Sequence, residues 1–397
     1  MNIKVERLSQ RGWCGLRACI GVVAFLPLMV AHLALADAPE PEEQEEAPKS
    51  LPSDKPAAPA TLPAGRADIE ALIDKAGKEP PDWWDSVELN VPATMDLTWP
   101  QRPAGKWNPQ RNISQYFISV INPRPALHKE GCKFMHHVLS VNKDNKPVQA
   151  RAMQMLGRIY AIYLHDYARG AFWFRKAAKA GAMNLNDTAD LAFCYWKLGS
   201  REMALAELER TGQFNGRTIR VLGGMGEVPK ALQLAEQMAR AYPDEGGLAG
   251  ADVCRFNGRY ADAVQWYQRV LAVPQPGDQR QMARWKRYND RARGGIEAAQ
   301  ALAQFDPAKA ADGTYSAEGG GYRGPVKVQV TLKAGRIEDV KVVQHKEDWP
   351  LNALVVVPAQ IIAKQSIAGV DSVSGATCTA EAVLIAAGKA LGSASRK

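Results

Sequence analysis

The spacing of apolar residues divides the chain into a long helical part and a shorter part with strands. From about residue 150 to 305, apolar residues recur every three or four positions, which is the period of an amphipathic helix. After Phe305-Asp306-Pro307 the period falls to two, and Val326 to Leu332 alternates apolar with polar residues. The pattern therefore predicts a helical region followed by a half-buried sheet.

A hairpin is predicted within the strand-rich part. Lys333-Ala334-Gly335-Arg336 carries the glycine of a tight turn, and a return strand begins at Ile337. Farther along, Trp349 to Gln365 has mixed helical spacing, and Ala380 to Leu391 has an apolar stripe along one helical face. The predicted order is therefore strand, turn, strand and two helices.

The helical part repeats itself. A turn residue precedes an alanine by five positions in four places, and the alanines are 33, 27 and 32 residues apart. Glycine permits a tight turn, and alanine lets two helices approach closely. These intervals resemble the tetratricopeptide period, and the first copy resembles a Sel1-type variant. The four pairs are Asp166 and Ala171, Gly199 and Ala204, Gly226 and Ala231, and Gly258 and Ala263.

We expect residues 150–305 to form an all-α solenoid of tetratricopeptide/Sel1-like repeats, because only a neighbouring pair can cover the apolar face of each helical pair. Such solenoids have a concave surface that holds peptides or protein partners. The segment Arg280 to Arg293 is predicted to be a final capping helix with a solvated basic side; an acidic partner docking there is the alternative. Aromatic residues at helical spacing are predicted to be core: Tyr160, Trp173, Tyr195, Trp196, Trp266 and Tyr267.

The N-terminal residues are typical of a secretory signal peptide. Basic residues between Lys4 and Arg17 precede an apolar run, Cys19 to Leu35, that ends in small residues. We predict a signal peptide over residues 1–38. An uncleaved membrane anchor is the alternative, because the run is close to the length of a spanning helix. The protein is expected to be periplasmic or otherwise extracytoplasmic, and membrane-associated if the segment is retained.

The composition and the net charge indicate which classes of binding partner to expect. Residues 39–66 are dominated by Pro, Glu and Ala, which predicts a disordered linker. The formal net charge is +8, of which the first 36 residues carry +3. The remaining +5 is small, and no Arg/Lys block has interleaved aromatic residues. Nucleic acid is therefore not a predicted partner.

Residues 67–149 form a Trp/Pro-rich region. Its aromatic residues could make a partner surface, but a loop-rich layer packed against a neighbouring domain is favoured. His128, Cys132 and His136 are four positions apart and would share one face of a helix, as the ligands of a soft metal would. Gly131 inside the pattern and the lack of a fourth ligand with defined spacing argue against this site. No metal is predicted.

Four cysteines follow the predicted leader, and they allow three disulfide pairings between which the sequence does not choose. We favour a packing role for Cys194 and Cys254, because free cysteine behaves as a small apolar residue. No Cys-x-x-Cys-His motif occurs, which argues against covalent c-type haem. The four are Cys132, Cys194, Cys254 and Cys378.

The candidate chemistry centres on the loop Asp371-Ser372-Val373-Ser374-Gly375-Ala376-Thr377. It presents a threonine hydroxyl just before the last predicted helix, and Thr377 or Thr379 is expected to be the N-cap. A helix N-terminus offers free N–H groups and a positive dipole, which suit a phosphate. A capping threonine in a turn of small residues is the alternative.

Residues 310–393 resemble the FMN-binding domain family, which is found in the sodium-pumping NADH:quinone oxidoreductase and in related electron-transport complexes. The glycine-rich opening, the strand pair and the motif loop occur in family order. The resemblance implies a multidomain chain in which a small α+β domain follows the repeats and a separate flavin transferase, using FAD and Mg²⁺, attaches FMN covalently to Thr377 through a phosphoester. The implied cofactor-binding residues are Thr377, Ala376, Gly375, Ser374, Asp371, Gly321 and Tyr322.

For Gly321 and Tyr322, packing is an equal alternative, and Asp371 either holds the loop or is read by the transferase. A covalent flavin passes one or two electrons. No dinucleotide fingerprint, metal cluster or nucleophile with a base is present, so no catalytic residue is predicted. The leading hypothesis is an electron-transfer flavoprotein whose repeats dock a redox partner. The rival is a repeat-based scaffold with an accessory or sensory flavin domain; a reductase with its own substrate lacks supporting residues.

Overall fold

The computed structural model describes residues 4–5, 65–100 and 106–395. The predicted signal peptide and linker therefore lie outside the described residues, apart from a two-residue strand near the start and the last two linker positions. That strand, β1 (Lys4–Val5), pairs in parallel with β2 (Gln213–Phe214). None of the described helices is long and apolar enough to cross a membrane.

The described residues before Tyr167, which include the start of the predicted repeats, are mostly helical and have their own apolar core. Their longest helix passes through Gly131, the glycine that lies within the spacing of the candidate metal ligands. A Cβ at Gly131 would lie 2.6 Å from Ile121 Cγ2, so the glycine allows a close crossing of two segments. The helices are α1 (Arg66–Lys78), α2 (Ile113–Tyr116) with a π-helical turn at Phe117–Ile121, α3 (His128–Val141) and α4 (Lys146–Arg158) with a second π-helical turn at Ile159–Tyr163.

Eight helices follow, called the repeat region below after the sequence pattern, and most of them pack against their neighbours in the chain. Side chains of Asn, Asp or Ser cap five of them at the N-terminus, which satisfies backbone N–H groups that a helix leaves free. Their membership of the tetratricopeptide or Sel1 families stays a prediction. The helices are α5 (Tyr167–Lys179), α6 (Leu185–Lys197), α7 (Arg201–Arg210), α8 (Gly216–Gly224), α9 (Val228–Ala241), α10 (Pro243–Phe256), α11 (Tyr260–Leu271) and α12 (Gln279–Gln304).

The predicted turn residues and alanines occupy the positions that the repeat pattern gives them. Gly199, Gly226 and Gly258 each lie between helices with a positive φ, which a residue with a side chain rarely adopts. The four alanines are all fully buried. Of the six aromatic residues predicted to be core, five are buried, but Trp196 is half-buried and lies beneath the Lys197 ammonium group.

The C-terminal part is a three-stranded antiparallel sheet with two helices. The predicted hairpin is confirmed: β4 (Pro325–Lys333) and β5 (Arg336–Gln344) pair across a two-residue turn. A strand that the sequence pattern did not identify, β3 (Gly313–Gly320), pairs with the other edge of β4. The helices are α13 (Ala353–Lys364) and α14 (Thr377–Ser393).

Helix α14 lies between the sheet and α12. On the sheet side, Gly319 lets β3 approach the α14 backbone, because a Cβ there would lie 2.1 Å from the Ala382 carbonyl oxygen. On the other side, a Cβ at Gly392 would lie 2.3 Å from Ala301 Cβ of α12. One apolar core runs from the repeats through this contact into the sheet. The helix that begins at Thr377 is therefore held by both parts of the fold.

The three candidate metal ligands of α3 lie in the N-terminal core. The His136 ring lies edge-on to Trp84, Tyr160 and Trp173, and its Nε2 is 3.0 Å from the Tyr160 hydroxyl. Burial raises the pKa of Cys132 to about 12, which disfavours the thiolate that binds metals. Among the described residues, no group of three or more His, Cys, Asp or Glu side chains could hold a metal ion. These residues pack the core.

The other cysteines are also free thiols. Cys194 and Cys254 are fully buried, as the packing interpretation requires. Cys378 is half-buried at the start of α14. No disulfide joins cysteines within the part of the chain that the structure describes.

The close approach at Gly319 predicts a specific stability loss. Gly319→Ala should destabilise the protein by about 1–3 kcal/mol, because the backbone oxygen that the new Cβ meets cannot yield as a flexible side chain does. Gly320→Ala is the matched control, since its Cβ would lie 3.7 Å from Asp290 Cβ, an ordinary contact. Urea denaturation of the full chain measures both variants. Equal stability of the two would contradict this account of the fold.

The buried histidines predict a loss of stability at mildly acidic pH. Burial lowers the pKa of His128 and of His136 to about 4, below the ordinary value of 6.5. The unfolded chain therefore binds protons first as the pH falls, and stability present above pH 6.5 is lost between 6.5 and about 4. Each histidine contributes at most about 1.4 kcal/mol per pH unit. His136→Gln should reduce this slope in denaturation curves; an unchanged slope would show that His136 does not titrate in this way.

Candidate functional site

The motif loop joins α13 to α14 and ends where α14 begins. Val373 and Ala376 are buried, and the Ala376 N–H donates to the Val373 carbonyl, 3.0 Å away. Gly375 is exposed and has a φ of +88°, a conformation that favours glycine. These contacts fold the loop into a tight turn that brings Thr377, half-buried, to the first position of the helix.

The N-terminus of α14 has no capping side chain. The prediction that Thr377 or Thr379 is the N-cap is wrong, because the N-cap is Ala376 and both threonines lie within the helix. The first turn contains no acidic residue. Its N–H groups and the positive end of the helix dipole are therefore available to an anion on Thr377.

Two polar residues of the loop contact α6 of the repeat region. The Lys197 ammonium lies 2.7 Å from Asp371 Oδ2, and the Ser374 hydroxyl donates to Asp190 Oδ1 at 3.0 Å. Lys197 also lies over the Trp196 ring, 4.3 Å from its centroid. Asp190 is buried and bonded to Arg217 at 2.8 Å. The loop is therefore fixed from the repeat side.

The contact through Asp190 is made in a buried charged environment. Burial raises the pKa of Asp190, and the charge of Arg217 opposes that rise. Asp187, one turn earlier on α6, pairs with Arg158 at 2.7 Å. The Ser374 hydroxyl thus meets a carboxylate whose second oxygen already has a partner.

Buried charges also join α14 to the repeats. Glu381 is fully buried; its carboxylate lies 3.2 Å from Arg255 of α10 and 3.6 Å from Arg291 of α12. Arg291 also pairs with Asp252. Arg255 donates to the carbonyls of Ile367 and Val370, just before the motif loop, at 3.3 and 3.4 Å. Burial raises the pKa of Glu381, and Arg255 opposes that rise.

Gly321 and Thr379 are linked through one buried carboxylate. Glu347, 7% exposed, accepts hydrogen bonds from the Thr379 hydroxyl and, at 2.8 Å, from the Arg323 N–H. A Cβ at Gly321 would lie 2.6 Å from Glu347 Oε1, so only glycine leaves room for this carboxylate. The glycine-rich opening of the domain is thereby tied to the first turn of α14.

Tyr322 follows Gly321 in the chain and is 42% exposed. The guanidinium groups of Arg287 and Arg323 lie 4.8 and 5.2 Å from its ring centroid. Cys378 is close enough to Arg287 and Arg291 for their charges to act on it: burial raises its pKa and the two arginines oppose the rise. Tyr322 is therefore in contact with α12 as well as with its own domain.

The structure thus gathers the predicted site residues into two adjacent segments. Asp371, Ser374, Gly375 and Ala376 form the turn that ends at Thr377, while Gly321 and Tyr322 reach the same helix end through Glu347 and Arg287. Sequence reasoning missed the residues that hold these segments, which lie far away in the chain: Glu347, Lys197, Asp190, Arg255 and Arg287. No local pattern marks any of them.

Comparison with known proteins agrees with the position of the site. Residues 321–392 match the model of a family described as "FMN-binding domain". An uncharacterized protein from Treponema pallidum (strain Nichols) is 44% identical over 87 residues, which are 21% of this chain and 24% of the relative. The chain thus spans about a quarter of the length of this curated relative. No solved structure matches. The C-terminal part of the chain contains an FMN-binding domain.

Proposed function

We propose that this protein is an exported flavoprotein that carries FMN covalently on Thr377 and transfers electrons outside the cytoplasm. The observation that carries the proposal is a half-buried threonine hydroxyl at an uncapped helix N-terminus, within an FMN-binding domain and after a turn without bulky side chains. A phosphate on this oxygen would meet free N–H groups and the positive end of α14.

The attachment step transfers the FMN part of FAD, through its phosphorus, to the threonine. The Thr377 hydroxyl oxygen would form a bond to the flavin-side phosphorus of FAD, the bond to AMP would break, and the hydroxyl would lose its proton. A separate transferase with Mg²⁺ would catalyse this step, since the sequence has no recognisable motif that pairs a nucleophile with a base. Bound FMN supplies one- or two-electron chemistry, and the protein fixes its position and its surroundings.

The repeats have a second role in this proposal, the docking of a redox partner. Helices α6, α10 and α12 already contact the FMN-binding domain through Lys197, Arg255 and Arg291. A partner would therefore use the repeat surface that these contacts leave free, close to the exposed edge at Tyr322. A scaffold that binds partners unrelated to electron transfer would instead be expected to work without flavin.

Replacement of Thr377 tests the attachment site. We expect the full chain, co-expressed with a flavin transferase, to show flavin fluorescence on a denaturing gel and a matching mass increase. Thr377→Ala should lose both completely, because the acceptor oxygen is gone. Ser372→Ala, which removes another hydroxyl of the same loop, is the control and should keep them. Flavin that remains covalently bound to Thr377→Ala would refute the proposed site.

Export is tested by the N-terminus of the mature protein. We expect protein recovered from the periplasmic fraction to begin after Ala36 or Ala38, where small residues end the apolar run. Mass spectrometry of the intact N-terminal peptide identifies the cleavage position. An intact leader in the membrane fraction would favour the anchor, and protein confined to the cytoplasm would contradict export.

A further inference from the structure

Helices α12 and α14 run side by side in the same direction. Close approaches join Gly294 to Ile385, Ala298 to Gly388 and Ala301 to Gly392, and the partners in these three pairs are 90 or 91 positions apart. The same register places Arg287 of α12 level with Cys378, one residue after Thr377. An arginine from the repeat region therefore lies beside the first turn of the flavin-bearing helix.

Three arginines of α12 are half-buried or buried, and they differ in whether they form an ion pair with a described residue. Arg284 pairs with Asp244 at 2.5 Å, and Arg291 pairs with Asp252 and Glu381. Arg287 has no carboxylate within ion-pair distance among the described residues. The Nε of Arg287 is buried without a hydrogen-bond partner, as are those of Arg284 and Arg291, so Arg287 differs from them in lacking an ion pair. A desolvated guanidinium N–H without an acceptor costs free energy, which an anion at this position would offset.

The orientation of Arg287 is set by an aromatic ring. Its guanidinium lies 4.8 Å from the centroid of the Tyr322 ring, in the glycine-rich opening of the FMN-binding domain. A guanidinium held against a ring can still present N–H groups at its edge, and its planar fork matches two oxygens of a phosphate. The Glu347 carboxylate is bonded to Thr379 in the first turn of α14, and Arg287 adds a positive group close enough to act on Cys378 of the same turn.

We infer that Arg287 binds the phosphate of FMN attached to Thr377, so that the last helix of the repeat region completes the flavin site. This inference rests on the proposed function. The phosphate of a threonyl-FMN ester carries one negative charge, which the N–H groups of α14 and the Arg287 guanidinium would share. Arg287 would then be a cofactor-binding residue contributed from outside the FMN-binding domain.

The test compares thermal unfolding of the full chain with and without attached flavin. In the wild type, flavin attachment should raise the unfolding midpoint. Arg287→Ala should leave the midpoint of the flavin-free protein close to that of the wild type and should lose roughly 2–4 °C of the rise. Arg287→Lys should recover only part of it, because it keeps the charge without the planar fork. Arg293→Ala, which removes an arginine paired with Asp290 on the same helix, should keep the full rise.

The outcomes separate this inference from the proposed function. If flavin attaches to Thr377 and the rise in midpoint is the same in Arg287→Ala as in the wild type, the role of Arg287 is refuted and the proposed function stands. If the wild type takes up no flavin on Thr377, both are refuted. If Arg287→Ala takes up too little flavin to measure, Arg287→Lys gives the same comparison, and a full rise in that variant counts against the contact.

Discussion

The position of Thr377 depends on the buried charges between α10, α12 and α14. Glu381 lies one helical turn after Thr377 and has no access to solvent, so its carboxylate needs the arginines that surround it. A buried cluster of paired charges contributes little net stability, because the free-energy cost of removing the charges from water offsets much of their mutual attraction. Removing either partner would leave an unpaired buried charge, however, which costs about 3–5 kcal/mol. The ion pairs therefore specify one relative placement of helix and repeats.

Apolar contacts and charges act together at this junction. Small residues let α12 and α14 approach closely, but a row of glycines and alanines alone would tolerate a shift along the helices. The pairing of Glu381 with Arg255 and Arg291 defines the register, and Asp371 and Ser374 hold the preceding loop against α6. The helical region thus holds the motif loop in place, in addition to any role it has toward other proteins.

The sequence predicted those features that residue type encodes locally. Glycines with positive φ, buried alanines at repeat spacing and the hairpin at Gly335 follow from backbone freedom and side-chain size. The motif loop was also evident, because its small residues and threonine lie together in the chain. Strand β3 was missed, because its inward-facing positions in Gly313–Gly320 are mostly Gly and Ala and so carry little apolar signal. Contacts such as Lys197 with Asp371 join residues 174 positions apart, and no local pattern encodes them.

The match to the FMN-binding family begins at residue 321, after the end of β3, although β3 covers one edge of β4 and contacts α14. A fragment cut at the family boundary would expose that sheet edge together with the α14 face that α12 covers, and it would retain Glu381 without its arginines. The stretch that the family match covers and the unit that folds are thus different lengths of chain here. A recombinant version of this domain would need both β3 and the repeat helices.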